Sequence, residues 1–305
     1  MKGRPQDYMD VGIVHFMAFP EVMASDEPAV DTLKTLCDDD YFQVLEVKSI
    51  GDEKERKRAI ELVKGAGKKI GFGAQPTLLK AGGNLNALDP ETHQAALDLV
   101  RKCLDEAAEW GASALAVLSG KDPGEEKRND ATAMLIAALK DICEHARRAG
   151  DMPIILETFD RKPFGKNCLI GPTEEAANVA DRVAAYYLSF GLAIDLSHLP
   201  LLEETPDHAI QTSRHVLRLA HIGNCVMKHE DHPAYGDEHP PFGIEEGENG
   251  VDELAAFLKA LLDAGYIGEG KHNPVSMEVK PCGDLSSDDV IANGKATLDA
   301  AWAAL

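Results

Sequence analysis

GLAIDLSH (residues 191–198) is the stretch from which the fold is read. Leu192, Ala193 and Ile194 run without a polar break into Asp195. A strand apolar on both faces until its last residue is one covered on both sides, as parallel strands packed under helices are. Seven more runs share this character: VGIVHF (11–16), FQVLEVK (42–48), KIGFGA (69–74), ALAVLSG (114–120), PIILETF (153–159), LAHIGN (219–224) and VSMEVK (275–280). Helical spacing fills the gaps between them. In 90–109, Asp89 is placed to cap, Pro90 fits the first helical position, and Ala96, Val100, Cys103, Leu104 and Ala107 recur at three- and four-residue intervals. Thr173 and two acids open a helix over 173–190, and Ser286 with Asp289 has capping-box spacing ahead of a last helix reaching Trp302. Segments 27–36, 54–66, 126–149, 206–217 and 251–264 complete the helical set.

Eight alternations of strand and helix, with connections long enough for right-handed crossovers, predict a closed (β/α)₈ TIM barrel, one domain over residues 1–305. An open doubly wound sheet would carry a glycine-rich phosphate turn after its first strand. HFMAFPEVM (15–23) has no glycine, and GKDPGEEK (120–127) lacks the GxxxxGK[ST] pattern of a nucleotide loop.

Composition narrows the partners. The 305 residues include 31 Lys+Arg and 52 Asp+Glu, a net charge of −21 that repels a phosphate backbone. Nucleic acid is therefore not expected. Six cysteines with no CxxC and no regular spacing suggest neither a zinc knuckle nor a disulfide framework, which fits a reducing cytoplasm. No signal-peptide pattern opens the sequence, and no stretch approaches the roughly 18 apolar residues of a bilayer span. The expectation is a cytoplasmic protein, with self-association left open.

In a barrel, function sits where strands end in loops. Glu157 in IILETFD, Asp195 and His198 in LAIDLSH, His221 in RLAHIGN and Glu278 in VSMEVKP all fall there, on strands five to eight. A carboxylate within an apolar strand is costly to bury unless paired or coordinated, and three converging on one mouth repel unless a cation neutralises them. Such a set, rich in oxygen with one imidazole, suits Mn²⁺, Mg²⁺ or Co²⁺ better than a closed structural Zn²⁺ site. Further candidates at the mouth are His15, Glu46, Lys48 and Gln75, with Phe16 and Phe19 as walls. Glu46 and Lys48 share a strand face, so they are read either as an ion pair or as substrate contacts. The long loop HIGNCVMKHEDHPAYGDEHPPFGIEEGENG (221–250) has the length of a functional lid. It offers His229, Asp231 and His232 as a conceivable second metal set, with His239 and Glu245 as weaker candidates.

Glu in strand five, Asp-x-x-His in strand six, His in strand seven and Glu in strand eight, here Glu157, Asp195-Leu-Ser-His198, His221 and Glu278, resembles the xylose-isomerase-like TIM barrels. The resemblance is to their sugar phosphate isomerase/epimerase branch. It implies one divalent metal, Mn²⁺ first with Mg²⁺, Co²⁺ or Zn²⁺ as alternatives, held by Glu157, Asp195, His221 and Glu278. It further implies that Glu157 and Glu278 exchange a proton with a small carbohydrate through an enediolate, and that His198 contacts a substrate oxygen. Ketohexose 3-epimerases of that branch carry an acid six residues after the strand-five glutamate and an arginine six after the strand-seven histidine. This sequence has Pro163 and Met227 there, with Arg161, Lys162, Lys228 and His229 as different polar groups nearby. A lyase acting on a keto-sugar or inosose, an apurinic-endonuclease-like phosphodiesterase and a non-catalytic sugar-binding barrel are the rival readings. The second resembles a trinuclear zinc centre with histidines on strands two and three, where Glu46, Lys48 and Gln75 stand.

Overall fold

The computed structural model describes residues 3–161 and 164–305. Eight parallel strands close in sequence order: β1 (Asp10–Val14), β2 (Val44–Lys48), β3 (Lys69–Gly73), β4 (Ala114–Leu118), β5 (Ile154–Glu157), β6 (Gly191–Asp195), β7 (Leu217–Ile222) and β8 (Pro274–Met277), with β8 hydrogen-bonded back to β1. The single-domain barrel read from the sequence is the fold observed. Each strand is followed by a packing helix: α1 (Ala29–Cys37), α2 (Glu53–Gly65), α3 (Pro90–Trp110), α4 (Arg128–Arg148), α5 (Thr173–Ala184), α6 (Pro206–Ser213), α7 (Val251–Asp263) and α8 (Ser287–Ala303). No described helix is long and apolar enough to cross a membrane.

The helix ends follow local chemistry. Asp89 accepts the Thr92 N–H at 2.9 Å, Pro90 opens α3, and Gly111, with φ of 70°, ends it in the left-handed conformation that glycine adopts without a Cβ penalty. Ser286 and Asp289 form the expected capping box of α8. Helix α5 opens at Thr173 with Glu174 and Glu175 in its first turn, as expected; Pro172 holds the cap position, and the Thr173 backbone N–H and hydroxyl both donate to Glu204. That helix stops at Ala184, short of the predicted 190.

Most of the core lies between strands and helices, where Trp110, Phe42, Phe72, Phe190 and Phe257 are fully buried. Inside the barrel a separate small cluster, Ala116, Ile155, Ala193 and Leu219, fills the axis. Below it the residues are too small to close the lumen, and a chamber of about 310 Å³ opens toward the N-terminal ends of the strands, lined in part by Gly71, Ala114 and Ala116. Above it, the C-terminal ends of the strands form a mouth of about 450 Å³.

Candidate active site

Glu157 and Asp195 are the last residues of β5 and β6, His221 lies near the end of β7, and Glu278 follows β8 directly. Inward-facing positions on neighbouring strands bring them together, and the first three are buried. One ligand atom from each of the four lies within 4.8 Å of those from the other three. His221 Nδ1 is 3.1 Å from Glu157 Oε1 and 2.8 Å from Glu278 Oε2. Gln75, at the start of a short helix after β3, donates its amide to Glu157 Oε2 at 2.7 Å. Asp195 Oδ1 accepts the Ser197 N–H at 2.7 Å, while Asp195 Oδ2, fully buried, has no hydrogen-bond partner.

The charges of this cluster do not balance by themselves. Burial pushes the Glu157 carboxyl above its usual range despite the His221 contact. Burial acts the same way on Glu278, but His239 and His221 overcome it and bring that carboxyl down to about 2. Burial opposes protonation of His221, yet Glu46, Glu278 and Glu157 together hold it well above the ordinary imidazole value. Three carboxylates around one imidazole, with Asp195 Oδ2 lacking a donor, form a set that a divalent cation satisfies. The donors present therefore fit such an ion.

A second layer adjoins the first. His198 Nδ1 donates to the Thr158 carbonyl at 2.7 Å, and its Nε2 lies 3.0 Å from Asp237 Oδ1. His239 Nε2 is 2.7 Å from the same oxygen, and Lys166 Nζ is 2.8 Å from Asp237 Oδ2. Burial disfavours a charged His198, but Asp237 and Asp195 raise it to about 10, so both of its ring nitrogens donate. Ligand atoms of Asp195, His198 and His239 also lie within 4.8 Å of one another.

Several residues read from the sequence lie elsewhere. His15 does not end β1 but begins a short helix, His15–Ala18. It is buried there against Phe19, with Nε2 2.8 Å from Thr32 Oγ1, and it does not line the mouth. Lys48 pairs with neither Glu46 nor the mouth; its ammonium turns outward to Asp26 at 3.4 Å and to the Ser49 carbonyl. Arg161 is held by Glu175 and the Leu169 carbonyl. His229 sits half exposed, 3.2 Å from Glu246, and Lys228 pairs with Glu248. His229, Asp231 and His232 line a surface pocket but form no cation-holding group among the described residues. Lys162 and Pro163 lie outside the described residues. Phe16 does wall the mouth, and Gln75 reaches it.

Two groups were underweighted by sequence reasoning. His239 and Asp237 belong to the site although they lie in the loop after β7, and their one signal is the Asp-x-His spacing at 237–239. Glu46 points into the barrel, both its oxygens within 3.2 Å of His221 Nε2.

A family model described as the xylose isomerase-like TIM barrel matches residues 36–299, and the chain belongs to that family. No curated protein sequence matches it. Among solved structures, it is similar to the D-psicose 3-epimerase from Clostridium cellulolyticum H10 in complex with D-tagatose (18% identity, TM-score 0.62, covering 97% of this chain and 96% of that one). It is similar also to an L-ribulose 3-epimerase (16%, TM-score 0.69, 97% and 92%) and to the E. coli 3-keto-D-glucoside 4-epimerase (15%, TM-score 0.65, 96% and 98%). At these identities the likeness is one of fold.

Proposed function

We propose that this protein is a divalent-cation-dependent isomerase or epimerase of a small sugar or sugar derivative. The observation that carries the reading is the convergence of Glu157, Asp195, His221 and Glu278 at the bottom of the mouth, with ligand atoms within 4.8 Å of one another. Similar folds among sugar epimerases support it. All six cysteines are free, five of them buried, which accords with a reducing cytoplasm.

Glu157, Asp195, His221 and Glu278 would hold a divalent cation, Mn²⁺ in the first place, which would supply Lewis acidity beside a sugar carbonyl and so make the adjacent C–H more acidic. The chain's own groups do the rest. Glu157 and Glu278 enter the cavity from β5 and from the end of β8, so one removes the carbon-bound proton and the other returns it from a different side. The Gln75 amide, donating to Glu157 Oε2 at 2.7 Å, fixes the carboxylate plane. His198 is anchored by Thr158 and Asp237, while Lys166 and Lys280 supply positive charge at the rim. From strand two and the short helix after strand three the site receives Glu46 and Gln75, not histidines, which favours proton transfer over a trinuclear hydrolytic centre.

The test is incubation of the Mn²⁺-loaded protein with a panel of ketoses, ketose phosphates and keto-inositols in D₂O. Deuterium incorporation next to the carbonyl, abolished in Glu157→Gln and Glu278→Gln, supports the reading. Elimination products without exchange into recovered substrate or isomer contradict it in favour of a lyase, and no reaction with any member contradicts it outright.

A further inference from the structure

We propose that Glu46 is a positioning residue: its carboxylate fixes the ring of His221 so that Nδ1 presents a lone pair to the cation. The inference rests on the cation site proposed above. Glu46 comes from β2, on the inner wall of the barrel, and is 5% exposed. Its Oε1 and Oε2 lie 3.2 and 3.1 Å from His221 Nε2, and among the described residues the His221 ring is its one hydrogen-bond partner. The other ring nitrogen, Nδ1, faces Glu157 and Glu278. A cation at Nδ1 requires the neutral ring with its one N–H on Nε2, and the Glu46 carboxylate is placed to accept that N–H.

Packing shows that this contact is built in. Beneath the mouth lie the small cluster of Ala116, Ile155, Ala193 and Leu219 and the chamber, and Glu46 lines both the chamber and the mouth that holds His221. Gly71, paired with Glu46 in the β2–β3 register, provides the room: a Cβ there would stand 2.9 Å from Glu46 Cγ. An aliphatic residue at 46 would fill the same space without the cost of burying a carboxylate, so packing alone does not account for Glu46. A carboxylate behind a metal-binding histidine orients the ring and raises its basicity, and losing one typically weakens metal binding roughly 10- to 100-fold.

The experiment uses the full chain stripped of metal. Mn²⁺ binding is measured from the free-ion electron paramagnetic resonance signal in wild type, Glu46→Leu, Gly71→Ala and, as a control for general destabilisation, Phe257→Ala. Expected is a rise in Kd of roughly 10- to 100-fold for Glu46→Leu, a smaller rise for Gly71→Ala, which displaces the carboxylate without deleting it, and none for Phe257→Ala. In parallel, ¹⁵N-histidine spectra of the Zn²⁺-loaded wild type should show the His221 proton on Nε2, a readout that does not depend on any variant folding. A Kd within about twofold of wild type in both site variants, or a proton on Nδ1, overturns the inference. Loss of Mn²⁺ affinity in a protein that exchanges no sugar proton would sink the proposed activity and leave the role of Glu46 standing. A wild type that binds no Mn²⁺ overturns both.

Discussion

Replacing His15 by glutamine should flatten the acid side of the stability curve. The wild-type ring is buried, and its Nε2–H donates to Thr32 Oγ1, whose own hydrogen goes to the Pro28 carbonyl at 2.9 Å. Burial first, and then the nearby Lys48 charge, lowers this imidazole from its ordinary 6.5 to about 3. The unfolded chain therefore takes up a proton near pH 6.5 that the folded chain refuses until about pH 3. Stability from this group is complete above pH 6.5 and falls as the pH drops, approaching about 1.4 kcal/mol per pH unit, so that about 2 kcal/mol is gone by pH 5. Urea unfolding of the metal-stripped protein at pH 7, 6 and 5 measures it. The free energy of wild type should fall relative to that of His15→Gln by about 2 kcal/mol across the range, whatever the offset between them at pH 7. Carboxylates titrate in both proteins and cancel in the difference. Parallel curves, or a His15 ring that titrates near 6.5 in the folded protein, would refute the argument and return His15 to the list of groups open to substrate.

Other perturbations test the site and the scaffold separately. Asp195→Asn removes a ligand rather than an outer partner, so Mn²⁺ affinity should drop by more than the roughly 100-fold ceiling for outer partners, read by equilibrium dialysis with elemental analysis. Asp89→Ala removes the cap of α3 and should cost about 1 kcal/mol in denaturant unfolding with Mn²⁺ binding unchanged. Phe257→Ala, at a fully buried position of α7, should cost about 3–5 kcal/mol by the same measurement.

What the sequence revealed, and what it hid, divides along the range of the contacts. The strands were legible because each is covered on both faces, so GLAID and IILE read as continuous apolar runs with a single carboxylate at the end. The caps at Asp89 and Ser286 were legible because their hydrogen bonds span three residues. The four converging side chains were legible for the same reason as the strands: a charged group ending an apolar strand in a barrel has one place to go. Glu46 was placed on the right strand but read, with Lys48, as either an ion pair or a substrate contact, since two residues on one strand face look like a pair. In three dimensions Lys48 leaves the barrel for Asp26, while Glu46 crosses it to His221, 175 residues away in sequence. His239 and Asp237 were obscured because their positions depend on how the loop after β7 folds back. There the Asn224 side chain bonds Pro241 and Asn249, and the Lys280 N–H bonds the His239 carbonyl. His229 drew attention as one more histidine in an acidic loop, yet the same folding turns it to the surface.

Anomalous diffraction from Mn²⁺-soaked crystals tests the account most directly. One peak within coordination distance of Glu157, Asp195, His221 Nδ1 and Glu278 is the predicted result. Density confined to the pocket of His198, Asp237 and His239, or no ordered ion while the four side chains keep their positions, would contradict it.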